Sequence, residues 1–182
     1  MSGISVRQTV KRGGHDEDDI AEPRTIHPEV REAGAGNRAE LVKSLNQRLA
    51  DAIDLQMQAK QAHWNVKGPS FSALHELFEQ VAVKVAHHAD LIAERAVQLG
   101  GLAEGVVPVV AKHSDLPGYP VRITAGADHV RAIAGALSAF GAKMRPGIAE
   151  AEGVGDPVTA DILTEVSRDI DELLWLVEAH AH

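Results

Sequence analysis

The chain has 182 residues with a formal net charge of −8, no cysteine, 45% apolar residues and only 3% aromatic residues. This size allows one domain with an extension, the lack of cysteine excludes a disulfide scaffold or a cysteine zinc site, and the low aromatic content disfavours a β-sandwich or barrel. The acidic charge excludes a DNA-binding body that acts by charge alone, and without an apolar leader or a run of ~18 apolar residues we expect a cytoplasmic soluble protein with no membrane span.

Residues 1–36 contain few large apolar side chains and predict a flexible N-terminal tail. The tip of this tail is basic, because Arg7, Lys11 and Arg12 precede any acidic residue, whereas residues 16–19 are all acidic. We therefore expect a domain boundary near residue 37, with residues 37–182 forming one folded domain.

Two helices are predicted in the first half of this domain. The first begins near Asn37, which would cap it together with Glu40 in a capping box, and its leucine spacing of four residues continues to about residue 66. A Gly-Pro turn at residues 68–69 ends the pattern. The second helix covers residues 71–99 and stops at a glycine pair.

The second half contains two further helices after a long link. Residues 101–123 are rich in proline and predict a long connection with one short helical turn. A third helix follows Thr124, and Pro146 is expected to kink or end it. Asp156 is expected to cap a fourth helix whose first residue is Pro157. This pattern predicts an all-α four-helix bundle with a long crossover between helices 2 and 3, as in ferritin-like bundles.

The second predicted helix carries a polar stripe away from its apolar stripe. At 100° per residue, His75, Glu79, Asp90 and Glu94 fall within about 100° of one another. Such stripes are common on solvated helix faces. Small apolar residues lie between these acidic residues, however, which favours a face that meets another helix.

The spacing along this stripe decides how its residues would share a metal ion. His75 and Glu79 are one turn apart, as are Asp90 and Glu94, but the two pairs are separated by about 22 Å. A second copy of the helix, antiparallel across a two-fold axis, would bring the His75 end of one chain to the Asp90 end of the other. His63, at the end of the first helix, would complete each site. These imidazoles and carboxylates suit Fe(II), and zinc would accept them too.

Four stretches of the chain resemble the Dps family, the DNA-binding proteins from starved cells that are also called mini-ferritins. They are AHWNVKGPSF, LHELFE, HADLIAERAVQLGG and TADILTEVSRDIDELLWLVE. The resemblance covers about residues 37–180, and HWNVKG combined with ERAVQLGG at this spacing is highly specific. It implies a hollow homo-dodecamer of ferritin-like subunits with ferroxidase centres at the two-fold interfaces.

The resemblance also implies roles for individual residues. His63 and His75 match the metal-binding histidines of one subunit, and Asp90 and Glu94 match the carboxylates that the other subunit supplies. Glu79 stands where the family usually has Asp, so its longer side chain would shift the metal position. The implied reaction is the oxidation of Fe(II) to Fe(III), by hydrogen peroxide in preference to dioxygen, with ferric mineral stored in the cage and DNA protected from oxidative damage.

Further aromatic and histidine residues are candidates for the same centre. Trp64 matches the family tryptophan beside the centre, where it either takes up oxidising equivalents or simply packs. His87 and His180 are candidate extra ligands that would make the centre more attractive to zinc, or else they are solvated histidines. His88 falls near the core side of its helix and is interpreted as structural.

Metal entry in the family uses acidic three-fold pores near the start of the last helix. By this resemblance Asp156, Asp161 and Glu165 are pore candidates, although capping is the stronger interpretation for Asp156.

Two alternatives to a ferroxidase cage are a nucleoid-associated structural protein that compacts DNA and a metal-buffering cage with zinc at its centre. Direct DNA binding would depend on the basic tip formed by Arg7, Lys11 and Arg12, multiplied over twelve copies. The acidic run behind this tip would oppose it.

Overall fold

The computed structural model describes residues 34–181, apart from the side chain of Ala35, and within this range the chain is helical with no β-strand. The predicted all-α class is therefore confirmed, while the tail residues Arg7, Lys11 and Arg12 lie outside the described residues. The helices are α1 (Ala35–Asn65), α2 (Phe71–Gln98), α3 (Val107–His113), α4 (Gly126–Gly153) and α5 (Pro157–Glu178).

The four long helices form two antiparallel pairs that close into one bundle. Helix α1 packs along α2 and α4 packs along α5, while contacts of α1 with α4 and of α2 with α5 join the pairs. Large apolar side chains from all four helices are fully buried between them, including Leu45, Phe78, Phe140 and Ile170. Because each such side chain contributes roughly 1.5–3 kcal/mol when buried, this shared core holds the helices together.

A long crossover joins α2 to α4, as predicted, and it runs the length of the bundle. The backbone N–H of Lys67, in the α1–α2 turn, donates to the Thr124 carbonyl at 2.9 Å, so α4 begins beside that turn and far from the end of α2. The short helix α3 packs on α1. Asn46 and Gln58 of α1 donate to crossover carbonyls at 2.9 and 3.1 Å, which satisfies backbone groups that no helix pairs.

One prediction about a helix end is wrong, and for Pro146, which was expected to kink or end its helix, the second alternative is excluded. The expected capping box of Asn37 and Glu40 is absent, because α1 already begins at Ala35 with Gly34 at its N-cap position. Pro146 does not end α4, which continues to Gly153. Buried residues lie on both sides of this proline, and the packing of the helix outweighs the one backbone hydrogen bond that proline removes.

The predicted ends of α1 and α2 and the predicted start of α5 are confirmed. Helices α1 and α2 end within one residue of the expected positions, and Gly100 follows α2 with a φ of 91° that favours glycine. The Asp156 side chain accepts a hydrogen bond from the Thr159 backbone and Pro157 is the first residue of α5. Within residues 34–181, no helix is both long and apolar enough to cross a membrane.

Candidate metal centre

The turn between α1 and α2 brings His63 and His75 together. Gly68 has a φ of 115°, a left-handed conformation that glycine adopts without steric strain, and it lets the chain reverse between the two helices. Residue 63 of α1 then lies opposite residue 75 of α2. The two imidazole rings stack with their centroids 3.7 Å apart and an angle of 22° between their planes.

Each histidine is anchored by the backbone of the other. The Nδ1 atom of His63 lies 2.7 Å from the His75 carbonyl oxygen, and Nδ1 of His75 lies 2.8 Å from the His63 carbonyl oxygen. Because a carbonyl only accepts, both Nδ1 atoms must donate, and in the neutral rings the lone pairs are then on Nε2. The hairpin therefore holds two oriented imidazoles with Nε2 available to a metal ion.

Glu79 lies beside this pair but is already engaged with a cation. Its Oε2 atom is 2.6 Å from Lys60 Nζ and 3.5 Å from His63 Nδ1. The hydrogen bond from Lys60 is the main cause that lowers the pKa of Glu79, so its carboxylate stays ionised. Lys60 Nζ also lies 5.7 Å from the centre of the Trp64 ring, within cation–π range.

Asp90 and Glu94 lie far from the histidines of their own chain. Helix α2 is continuous from Phe71 to Gln98, so the 15 residues between His75 and Asp90 correspond to about 22 Å. Within residues 34–181 of one chain, no three His, Asp or Glu side chains are grouped closely enough to hold a metal ion. The completion of a centre by ligands from a second copy stays a prediction.

The face that carries Asp90 and Glu94 also exposes apolar side chains. Val83 is 61% exposed and Val97 is 43% exposed, and both lie within about 60° of the two carboxylates around the helix. A cleft of about 410 Å³ opens here and is lined by Ala93, Glu94, Val97, Gln98 and Ala103. Exposed apolar side chains around carboxylates are the composition expected of a face that another chain covers.

The other residues predicted for the centre are exposed in the single chain. Trp64 is 59% exposed, so packing within its own chain does not account for it. His87 and His180 are also exposed, and the His180 Nδ1 donates to the Leu176 carbonyl at 2.9 Å. Their roles as extra ligands stay predictions.

His88 is structural, as the sequence predicted. Its side chain is fully buried, and Nε2 lies 3.0 Å from Oδ2 of Asp169 on α5. Lys84 Nζ lies 2.9 Å from the same oxygen. Burial lowers the pKa of His88, although the hydrogen bond with Asp169 acts in the opposite direction. This group links α2 to α5 and points away from the His63–His75 pair.

Of the three pore candidates, Asp156 is already bonded to residues of its own chain. Both its carboxylate oxygens accept from Arg95 Nη2, at 2.8 and 2.9 Å, and one also accepts from the Thr159 N–H. Burial alone would raise the pKa of Asp156, but the bonds from Thr159 and Arg95 outweigh it and lower the pKa. Asp161 is exposed and Glu165 is half-buried, and their pore role stays a prediction.

Two features of the structure escaped sequence reasoning. Lys60 lies three residues before His63 and four before Trp64, so helical spacing alone would have placed it on their face. The pairing of Tyr119 with His129 had no sequence signal, because one residue is in the crossover and the other in α4.

Comparisons with known proteins were consistent with this architecture. Residues 42–182 match the model of the ferritin-like domain family. The DNA protection during starvation protein of Agrobacterium fabrum is 43% identical over 143 residues, which cover 79% of this chain and 88% of the relative. Among solved structures, DpsA14 of Streptomyces coelicolor aligns with a TM-score of 0.80 and 30% identity over 87% of this chain and 92% of that chain. The high iron form of Dps from Microbacterium arborescens aligns with a TM-score of 0.74 and 30% identity over 86% and 97%.

Proposed function

Since the chain belongs to the Dps family of ferritin-like proteins, we propose that it oxidises Fe(II) to Fe(III) and stores the ferric product in a protein cage. By removing both ferrous iron and its oxidant, this activity would protect DNA from oxidative damage. The proposal places the protein in the cytoplasm, with hydrogen peroxide as the preferred oxidant and dioxygen as the second.

The observation that carries this proposal is the reciprocal anchoring of His63 and His75. Their two Nε2 lone pairs are set by hydrogen bonds to the opposite backbone, and the ionised carboxylate of Glu79 lies next to them. Neutral imidazoles and carboxylates are the donors that Fe(II) binds in proteins, with positions left for water and oxidant. Zinc accepts the same donors and stays an alternative occupant of this site.

Each group has a distinct part in the proposed reaction. The imidazoles of His63 and His75 hold the ferrous ion, and the anionic Glu79, Asp90 and Glu94 favour the more highly charged ferric product. Two ferrous ions each give one electron to a single peroxide molecule, its O–O bond breaks, and two protons complete two molecules of water. Because the two electrons are delivered together, no hydroxyl radical is released.

The proposal requires at least two chains at each centre. His63 and His75 come from one chain and Asp90 and Glu94 from its two-fold partner, because a rigid α2 keeps them apart within one chain. We extend this to a hollow homo-dodecamer in which Asp161 and Glu165 line acidic entry pores. Trp64, exposed beside the histidines, would be covered when the partner binds.

The function is tested by mixing anaerobic Fe(II)-loaded protein with peroxide and following ferric absorbance in a stopped-flow instrument. We expect His63→Ala/His75→Ala to slow iron oxidation by at least about 100-fold, because it removes both imidazole ligands. His113→Ala, a change of the same kind at an exposed histidine of α3, is the matched control. A double variant that oxidises iron as fast as the wild type would refute this centre.

Direct DNA binding is a second proposed activity, motivated by the basic tip that contains Arg7, Lys11 and Arg12. The test is gel retardation at increasing salt, with the full chain and with a chain that lacks residues 1–14. We expect retardation at low salt that is lost with the tip. If the full chain retards no DNA at low salt, protection operates through iron chemistry alone.

A further inference from the structure

Tyr119 of the crossover and His129 of α4 form a pair in which the tyrosine is half-buried and the histidine is fully buried. Tyr119 is the only tyrosine of the chain, and its hydroxyl group is hydrogen-bonded to Nδ1 of His129 in the first turn of α4. The rings lie 6.1 Å apart with an angle of 26° between their planes, and the His129 side chain is fully buried. Nothing in the proposed iron oxidation uses this pair.

The ionisation states of the pair are fixed by its surroundings. Burial raises the pKa of Tyr119, so the phenol keeps its proton. Burial also lowers the pKa of His129, despite opposing effects of the Asn65 backbone and of Asp128, so the imidazole is neutral. A neutral phenol therefore donates to a neutral imidazole, which is the arrangement of an acid beside a positioned base.

Both ring contacts and backbone contacts connect the pair to the His63–His75 hairpin. The His129 ring lies 6.2 Å from the ring of Phe78, which comes three residues after His75 on α2. On its other side, His129 faces the backbone of Asn65, which comes two residues after His63. The pair thus packs against both helices that hold the two histidine ligands.

We propose that Tyr119 and His129 form a redox-active pair that holds one oxidising equivalent when peroxide meets a centre containing a single ferrous ion. A phenol that loses an electron becomes a strong acid, so its oxidation needs an acceptor for the proton at the hydroxyl group. His129 Nδ1 is that acceptor, and its position on the phenolic hydroxyl lets electron and proton leave together. This inference rests on the proposed iron oxidation as the source of the oxidant.

The electrons and protons balance in three steps. One ferrous ion reduces peroxide, and with one proton this gives a ferric ion, water and a hydroxyl radical. Tyr119 then supplies an electron that, with a proton from solvent, converts the hydroxyl radical to water, while the phenolic proton moves to His129. A second ferrous ion later reduces the tyrosyl radical, and the proton returns from His129 to the phenol. The sum is the same two-iron reaction, with the two ions arriving one at a time.

The test is rapid freeze-quench electron paramagnetic resonance of the full chain loaded with one Fe(II) per centre and mixed with peroxide. We expect a tyrosyl signal, which can come only from Tyr119, and its loss in Tyr119→Phe. In His129→Gln, radical formation should slow by about 100-fold, as when a positioned proton acceptor is removed. The wild type should also show a slower rate in D₂O, which tests the proton transfer without any variant. Trp175→Phe, at an exposed tryptophan, is the matched control.

Ferric absorbance in the same samples separates this inference from the proposed function. Iron oxidation without a tyrosyl signal would overturn the inference and leave the proposed ferroxidase activity intact. The same holds if the tyrosyl signal forms as fast in His129→Gln, and in the wild type in D₂O, as in the wild type in H₂O. If no ferric absorbance develops, the proposed function fails, and photo-oxidation of the metal-free protein decides on the pair. If photo-oxidation gives a tyrosyl signal that is slowed in His129→Gln, the redox role of the pair is supported. If the signal forms equally fast in His129→Gln, that role is refuted.

Discussion

Lys60 holds the carboxylate of Glu79, which is also a proposed metal ligand, so a cation of the protein competes with the incoming metal ion. The Nζ–Oε2 distance of 2.6 Å shows a direct ion pair, half-exposed to solvent. We expect Lys60→Gln, which removes the charge but keeps length and polarity, to tighten metal binding by up to about five-fold. Isothermal titration calorimetry with Zn²⁺ as the probe measures this affinity.

A lysine on another carboxylate provides the control for this prediction. Lys84 pairs with Asp169 at 2.9 Å, away from the two histidines, and Lys84→Gln should leave Zn²⁺ affinity unchanged. If Lys60→Gln weakens Zn²⁺ binding as Glu79→Gln does, Lys60 orients the carboxylate and does not compete for it.

The buried histidine His88 predicts a fall in stability on mild acidification. Burial lowers its pKa in the folded state, so below about pH 6.5 the unfolded chain takes up a proton that the folded chain does not. Stability is therefore fully present above that pH and declines as the pH falls towards the folded-state pKa, by up to about 1.4 kcal/mol per pH unit. His88→Gln should reduce this decline, measured from urea midpoints between pH 7 and pH 5 at fixed protein concentration.

His113→Gln is the matched control for this pH dependence, because His113 is exposed. The decline should not vanish in His88→Gln, since burial lowers the pKa of His129 in the same direction. A decline of unchanged size in His88→Gln would show that folding does not lower the pKa of this histidine. The Asp169 carboxylate is not responsible in this range, because bonds from His88 and Lys84 outweigh burial and lower its pKa.

At the scale of elements, the start of α5 depends on a single side chain. Asp156 caps the helix through Thr159 and neutralises Arg95 of α2, while it is itself only 3% exposed. Asp156→Ala removes the cap and leaves a largely buried guanidinium without its partner, so we expect a loss of about 3 kcal/mol in the free energy of unfolding. Guanidinium unfolding at fixed protein concentration measures it.

Two comparisons separate the cap from the ion pair. Asp156→Asn keeps a capping oxygen and removes the charge, so its loss should be smaller than that of Asp156→Ala. Glu172→Ala, at an exposed acidic residue of α5, should change stability little. Equal stability of Asp156→Ala and the wild type would mean that Arg95 finds another partner.

The helix ends show where sequence patterns succeed and where packing overrides them. Helices end or begin next to Gly68, Gly100 and Pro157, because the backbone geometry of these residues favours a helix boundary. Pro146 carries an equally strong local signal, yet α4 passes through it because buried residues on both sides hold the helix in the core. Local signals therefore predict an element end reliably only where no tertiary packing opposes them.

At the scale of the whole molecule, a centre shared between two chains makes a prediction that no single-chain centre makes. His63→Ala/His75→Ala and Asp90→Ala/Glu94→Ala should each be inactive alone. In a mixed two-fold pair, one centre has both the intact histidines and the intact carboxylates, and the other centre has neither. Random co-expression should therefore restore about one quarter of wild-type iron oxidation, because half of the pairs are mixed and each has one intact centre.

Native mass spectrometry of the co-expressed sample must show mixed assemblies for this test to count. Mixing the two separately assembled variants under conditions that prevent subunit exchange is the control, and it should restore no activity. If co-expressed chains that mix freely stay inactive, the carboxylates do not complement the histidines across a two-fold axis, and the shared centre is wrong.

The sequence by itself determined the helices, their order, the long crossover and the two candidate half-sites on α1 and α2. These follow from periodicity and punctuation, which act over a few residues, and from the rise of a helix, which already showed that His75 and Asp90 are too far apart within one chain. The structural role of His88 was also readable, since its position on the wheel faces the core.

Only the tertiary structure decided which side chains meet and how they are oriented. The reciprocal bonds that free Nε2 of His63 and His75, the capture of Glu79 by Lys60, and the pairing of Tyr119 with His129 all join separate elements. Such contacts depend on rotamers and on the closing of the bundle, which a one-dimensional pattern does not contain. The sequence therefore names the candidate ligands, whereas packing sets the tautomers of the two histidines and the neighbours of every candidate.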